Sequence, residues 1–291
     1  FNVYLVDAES YTSKTKSFNR SYKLVADPDS RFGLSSMLSI NPLKPDFCWQ
    51  RKYYPGSENC TSLNDPKLIK ICSAQVLTYQ TLSELGFSAV VVSEVLPQGS
   101  NEEKAINAFD NAAQQSRTGK VMAKRSRSFA SRGVKVLSVA NKLESIQHIV
   151  EQLSTSDMLV QPYLATSQPK GYTHGIVRVV VVGSNSGSKV VSTFWRLAKG
   201  REIVNAEQDI LVYEDISPRY LRRAEAVAVD ACAVLAKHLN LSLYELGVDV
   251  IFDGKNPLVL EINSGPIRLS VLNKNPHAAQ MAAVWDDAVV E

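Results

Sequence analysis

Apolar positions recur along this chain with two periods, and the switches between them predict its elements. FNVYLVDA (1–8) alternates as a strand does, and YKLVAD (22–27) and PDFCWQR (45–51) read as two more short extended pieces, so the chain opens as a small α/β unit. Ser, Asn, Pro and Gly crowd 55–66. Leu68, Ile71, Cys72, Val76, Tyr79, Leu82 and Leu85 then keep the spacing of one helix, with Gly86 as its stop. SAVVVSEVL (88–96) predicts a strand, 102–115 a helix, GKVMAKRS (119–126) and VKVLSV (134–139) strands around an Arg/Ser-rich loop, and 143–153 a helix. DMLVQPYL, GIVRVVVVG and KVVSTFWRLAKG read as three strands of a larger antiparallel sheet. A long amphipathic helix over 219–241 follows, with Ser217 as N-cap before Pro218, and the tail at 277–289 reads as helical.

The pattern is most informative at GVDVIF (247–252) and PLVLEINSGP (257–266), joined by a turn-forming Asp-Gly-Lys-Asn-Pro stretch. Side chains two apart in a strand share a face, so Glu261 and Asn263 point one way while Leu260 and Ile262 point into an apolar layer. Asp249 on the preceding strand adds a third hard oxygen donor. Such a cluster suits Mg²⁺, which keeps waters and bridges to nucleotide phosphates. The competing reading is an ordinary hairpin with a solvated polar face.

At 291 residues the chain exceeds the ~100–200 usual for one domain, so two or three packed units are expected. Hydrophobic residues at 45%, charged ones at 21% and a mean hydropathy of −0.10 fit a soluble globular protein. No apolar run approaches the ~18 residues of a membrane span, and there is no secretory signal. Cys48, Cys60, Cys72 and Cys232 form no CxxC pair, which argues against zinc or a disulfide framework and for a reduced, cytoplasmic setting. A net charge of +3 gives no general case for nucleic acid, and no membrane partner is expected.

Lys124 ends a strand that runs into a Ser-rich loop closed by Gly133. Such a hairpin lays N–H groups and the hydroxyls of Ser126 and Ser128 over a triphosphate while the ammonium offsets its charge. The alternatives are a solvated basic loop or an RNA patch, the latter disfavoured because Phe129 is the loop's only aromatic residue. Gln161, Pro162, Tyr163 and Leu164 either present a backbone edge and an amide to adenine or form a plain core strand. Arg178 and Arg196 sit among apolar neighbours, where each needs an anion: a bound phosphate or carboxylate, or a structural Asp or Glu. Asn205 is a weaker candidate of the same kind. His148, His174, His238 and His277 match no motif and read as surface or capping residues, and GxSxG, HExxH and P-loop signatures are absent.

The order of lysine loop, VQPYL, arginine strand, second arginine with a following asparagine, then D…E-x-N resembles the ATP-grasp superfamily over roughly 64–270. The likeness is to the branch with ribosomal-protein glutamate ligase, the lysine-biosynthesis carrier-protein ligases and bacterial glutathione synthetase. It implies an α+β fold in three parts: a small N-terminal α/β domain (1–63), a central lid domain (64–157) and a C-terminal antiparallel-sheet domain (158–291). It also implies ATP between the last two. Lys124, Ser126, Ser128 and Gly133 would meet phosphates, Gln161 to Leu164 adenine, and Asn205 the nucleotide. Asp249, Glu261 and Asn263 would hold Mg²⁺, with Mn²⁺ as substitute, and Arg178 and Arg196 would serve catalysis.

The implied activity is ligation of a small-molecule or peptide carboxylate to an amine through an acyl phosphate, by a homo-oligomer of the dimer or tetramer type. An ATP-grasp kinase acting on a hydroxyl and a noncatalytic nucleotide-binding module are the alternatives. The departures from the branch are a glycine-poor SRSFASR loop, Gln75 where a lysine is usual, Ile176 where an acid is usual, and a short N-terminal domain.

Overall fold

The computed structural model describes residues 64–126, 133–165, 168–184, 187–204, 210–212, 218–241 and 244–264, together with the backbone of five strands before residue 40. Those strands are β1 (Val3–Val6), β2 (Tyr11–Thr12), β3 (Ser17–Phe18), β4 (Ser21–Ala26) and β5 (Leu34–Ser39). They form an antiparallel β1-β4-β5 sheet and a separate β2-β3 pair. The segment at 45–51, the Ser217 cap and the tail at 277–289 lie outside the described residues.

The helix expected over 68–85 is two helices, α1 (Pro66–Cys72) and α2 (Gln75–Glu84). Asp65 caps α1 by accepting from the Lys67 N–H at 2.6 Å. Ala74 between the helices is extended, and the Gln75 N–H turns out of the helical ladder to the Ser126 carbonyl at 2.8 Å. Leu68, Cys72 and Leu82 still share one core, so the apolar spacing survives a break that it does not reveal. At the other end Gly86 has φ +73°, the left-handed stop expected of it.

A four-stranded sheet of order β6-β9-β7-β8 is built from β6 (Glu94–Leu96), β7 (Lys120–Arg125), β8 (Val134–Ser138) and β9 (Met158–Pro162). Helices α3 (Glu102–Gln115) and α4 (Lys142–Leu153) cover one face, burying Phe109, Ile149 and Leu153 with Val121, Ala123, Met158 and Val160. Alternation then turns Lys120, Met122, Lys124, Leu159 and Gln161 to the other face. β9 was expected beside the arginine strands and instead pairs with β6 and β7. Only the end of 88–96 is a regular strand. Its start is a strap bound to the second sheet by Val91 N–H to Val259 O (3.0 Å) and Val259 N–H to Ala89 O (2.8 Å).

The second sheet, antiparallel with order β12-β11-β10-β13-β14, comprises β10 (His174–Ser184), β11 (Gly187–Ala198), β12 (Ile210–Val212), β13 (Tyr244–Asp253) and β14 (Asn256–Asn263). Helix α5 (Pro218–Leu239) lays Ala224, Ala228, Ala231 and Leu235 on Val177, Val179, Val248, Val250 and Ile262. Residues of opposite parity, including Arg178, Arg196 and Asp249, face away from α5. Among the described residues no helix is long and apolar enough to cross a membrane.

Asn64 joins distant parts of the chain. It accepts the Glu245 N–H at 2.7 Å and donates to the carbonyls of Glu245 and Ser264, each at 2.8 Å. Gly183 lies opposite Tyr244, whose ring occupies the place a Cβ would take and whose hydroxyl is hydrogen-bonded to Ser188 at 2.6 Å. Gly183→Ala is therefore expected to lower stability by about 1–3 kcal/mol in urea unfolding, and an unchanged midpoint would contradict this packing.

Candidate functional site

The faces that the helices leave uncovered carry the chemistry. Register sets Arg178 on β10 opposite Asp249 on β13, and Asp249 opposite Glu261 on β14. Arg178 grips Asp249 with both arms of its fork, Nε to Oδ1 at 2.5 Å and Nη2 to Oδ2 at 2.7 Å. Arg196 adds Nη1 to Oδ2 at 3.0 Å. Of the two ligand types open to these arginines, a structural carboxylate engages both. Asn263, its amide oriented to satisfy both ends, donates to Glu261 Oε1 at 2.9 Å and accepts from Arg178 Nη2 at 3.3 Å.

Electrostatics separates the two carboxylates. Asp249 is only 1% exposed, and burial would raise its pKa, but Arg178 and Arg196 prevail and hold it below the ordinary range. Glu261 is pushed above its ordinary value by burial and then by Asp249, against the pull of Lys124 and the arginines. Lys124 reaches this field from the other sheet. It is 4% exposed, and burial lowers its pKa to about 8 even though Glu261 and Asp249 favour its charge.

Near the lysine, the Ser126 N–H donates to the Asp157 carbonyl at 2.9 Å, and the Gly133 carbonyl accepts from the Arg125 N–H at 2.9 Å. Ser128 and Asn205 lie outside the described residues. Gln161 is buried on β9, its Nε2 donating to Ser93 Oγ, while its Oε1 has no partner among the described residues. Pro162 supplies no N–H. The Tyr163 backbone is already engaged, its N–H with the Lys120 carbonyl (3.1 Å) and its C=O with the Thr118 hydroxyl (3.0 Å). Leu164 makes no hydrogen bond among the described residues. The edge that remains for a ligand is therefore narrower than four residues.

One expectation at β14 is corrected. A bulge pairs Asp249 with Glu261 and Val250 with Val259, which leaves Leu260 over. Leu260 packs with Ile176, Ala198 and Val204 on the arginine face, whereas Ile262 stays beneath α5. Ile176, in place of the acid usual in the resembled branch, thus belongs to an apolar floor beside the charged cluster.

His174 is likewise no surface residue. It is 3% exposed, with Nδ1 3.4 Å from the Tyr163 hydroxyl, and burial, then Lys124, lower its pKa to about 4. Tyr163 also donates to the Glu202 carbonyl at 2.8 Å, and Lys120 pairs with the Glu202 side chain, so the loop after β11 is tied to the four-stranded sheet. Sequence reading missed Glu202, Ser93 and Asn64 because each acts through partners remote in sequence.

Two carboxylates and an amide oxygen form a hard-oxygen donor set, and the raised Glu261 is the group a divalent cation would neutralise. Among the described residues there is no denser group of His, Cys, Asp and Glu.

Solved structures with this architecture share the ATP-grasp fold. The chain is similar to D-cycloserine synthetase DcsG (16% identity, TM-score 0.59, covering 80% of this chain and 76% of that one). It is also similar to the D-alanine-D-alanine ligase from Coxiella burnetii (12%, 0.59, 99% and 82%). N5-carboxyaminoimidazole synthetase from Staphylococcus aureus, solved with ADP, matches at 15% and TM-score 0.55 over 79% of this chain, which spans 56% of that protein. The family profile described as RimK-like ATP-grasp domain matches residues 101–282, and the chain belongs to that family. No curated protein sequence matches it.

Lys124 is expected to titrate near pH 8. Its charge, and with it affinity for an anion at the site, is full below that pH and falls as pH rises through it. NMR of its side-chain Cε resonance would read the midpoint, and a value near 10.5 would contradict the burial described.

Proposed function

We propose that this protein is an ATP-dependent carboxylate–amine ligase. The observation that carries the reading is the pairing of Arg178 and Arg196 with Asp249, beside Glu261 and Asn263, in an electrostatic field that Lys124 of the other sheet shares. The family assignment and similarity to proteins named as synthetases and ligases support it. In this reading the sheet around β7 and β9 is the lid and the sheet around β10 and β13 is the base. The 64–157 lid assignment then gains β9 and extends to Pro162.

Adenine would lie on the floor of Ile176, Ala198, Val204 and Leu260, against the chain from Gln161 to Leu164. Lys124, with Ser126, Ser128 and Gly133 in its hairpin, would take phosphate oxygens, and Asn205 would add a polar contact. Mg²⁺, or Mn²⁺, held by Asp249, Glu261 and Asn263, would supply charge neutralisation at the terminal phosphates. Arg178, forked on Asp249 and shared with Asn263, acts as the counter-charge that keeps the donor set in register. Arg196, bound to Asp249 by one contact instead of a fork, would offset charge as the substrate carboxylate approaches.

Carboxylate oxygen attacks the terminal phosphorus, and ADP leaves. The amine then attacks the acyl carbon, loses a proton and expels phosphate, giving an amide. A small-molecule or peptide carboxylate suits the cationic cleft, and assembly as a homo-oligomer is part of the proposal.

A second reading rests on Gln75. Its backbone N–H bonds to the Ser126 carbonyl, its Oε1 is buried without a partner among the described residues, and the resembled branch has a lysine here, so one phosphate counter-charge is absent. A nucleotide-binding module without turnover would follow from that loss. Turnover of ATP with Mg²⁺ over a panel of carboxylates, with and without amines, separates the cases. The ligase is expected to release ADP and phosphate only with both substrates, and Glu261→Ala to lower kcat by about 10³-fold or more. A stable phosphorylated product without amine dependence would indicate a kinase acting on a hydroxyl. Tight ATP binding with no turnover, and turnover gained in Gln75→Lys, would support the module.

A further inference from the structure

The surroundings of the Gln161 amide fix which of its two ends stays open. The Ser93 hydroxyl gives its only proton to the Val91 carbonyl at 2.9 Å. Its oxygen therefore offers lone pairs alone to Gln161, and the amide turns its nitrogen toward Ser93. The reverse orientation would set two acceptor oxygens against each other. Ser93 is itself held, its N–H donating to the Tyr79 hydroxyl at 3.2 Å and the strap behind it pinned to β14 through Val91. What remains is Gln161 Oε1, an acceptor without a partner among the described residues on a side chain 3% exposed. Gln161 shares a sheet face with Leu159 and Lys124, opposite the face that Met158 and Val160 turn into the helical core.

We infer that Ser93, steadied by Tyr79, is a positioning residue that makes Gln161 an obligate acceptor and thereby selects a nucleotide base carrying an exocyclic amino group. This rests on the nucleotide-site reading above and adds to it the group that discriminates. A 6-amino purine satisfies the orphan oxygen, whereas a 6-keto purine opposes oxygen to oxygen and leaves a buried acceptor unpaired. The strap connects this choice to the other sheet, because Ser93 holds its place through the backbone of Val259, two residues before Glu261.

Displacement of a fluorescent ATP analogue by ATP and by ITP, with Mg²⁺ present, tests this in wild type, Ser93→Ala, Ser93→Thr and Gln161→Met. Wild type is expected to favour ATP by about 10- to 100-fold, the cost of leaving a buried acceptor unpaired. In Ser93→Ala the amide is released to turn its nitrogen toward a keto group, and the ratio is expected to fall below about threefold, while Ser93→Thr keeps the hydroxyl and the wild-type ratio. Gln161→Met, which removes the acceptor, is expected to erase the preference mainly through lost ATP affinity.

Equal binding of ATP and ITP by wild type would overturn the inference while leaving the nucleotide site intact, as would an unchanged ratio in Ser93→Ala. No displacement by either nucleotide would overturn the site reading itself. Thermal unfolding reports whether Ser93→Ala folds. If it does not, Gln161→Met decides: a retained ATP preference there overturns the inference.

Discussion

A carboxylate removed from water must be answered by positive charge close at hand, and Asp249 is the place where this chain meets that demand. Leaving it unpaired would cost several kcal/mol, while the fork of Arg178 and the added contact from Arg196 offset its desolvation only with both in register. That requirement ties β10, β11 and β13 together on the face away from α5. The apolar positions of alternate parity do the same work on the other face, so pleat, register and charge agree. Glu261, opposite Asp249, inherits a field already shared out, and its raised pKa is the cost of placing a second carboxylate there.

The two sheets differ in what they contribute. The five-stranded sheet packs its apolar face on α5 and holds its charges on the opposite face in the register of its ladder. The four-stranded sheet presents Lys124 and Gln161 on a surface tied to that base by the 88–93 strap and by the Tyr163, Lys120 and Glu202 contacts. Lys124 is desolvated between the sheets and attracted by the carboxylates of the other sheet. An anion entering between them would restore the counter-charge that burial removes.

Much of this was legible in the sequence where one residue type at one spacing has one physical reading. The hairpin at 247–263 declared itself by alternation and by its turn, and the arginines by their cost among valines. Periodicity failed where tertiary contacts override it. The break at Ser73 and Ala74 depends on a hydrogen bond from Gln75 to Ser126, about fifty residues away. Leu260 was misassigned because a bulge shifts parity without changing composition. β9 was grouped with the wrong sheet because strand order is not encoded in the strands themselves. His174 belongs to no motif, yet it is buried at the start of β10, on the parity shared by Ile176 and Arg178.

In the proposed ligation a carboxylate oxygen passes through a bond to phosphorus. Turnover with a pool of ¹⁸O-carboxylate-labelled amino acids, unlabelled amines and Mg-ATP tests it directly, with the released phosphate read by mass. The account requires labelled oxygen in that phosphate. Phosphate released without label, alongside a product that keeps both of its labelled oxygens, would contradict it.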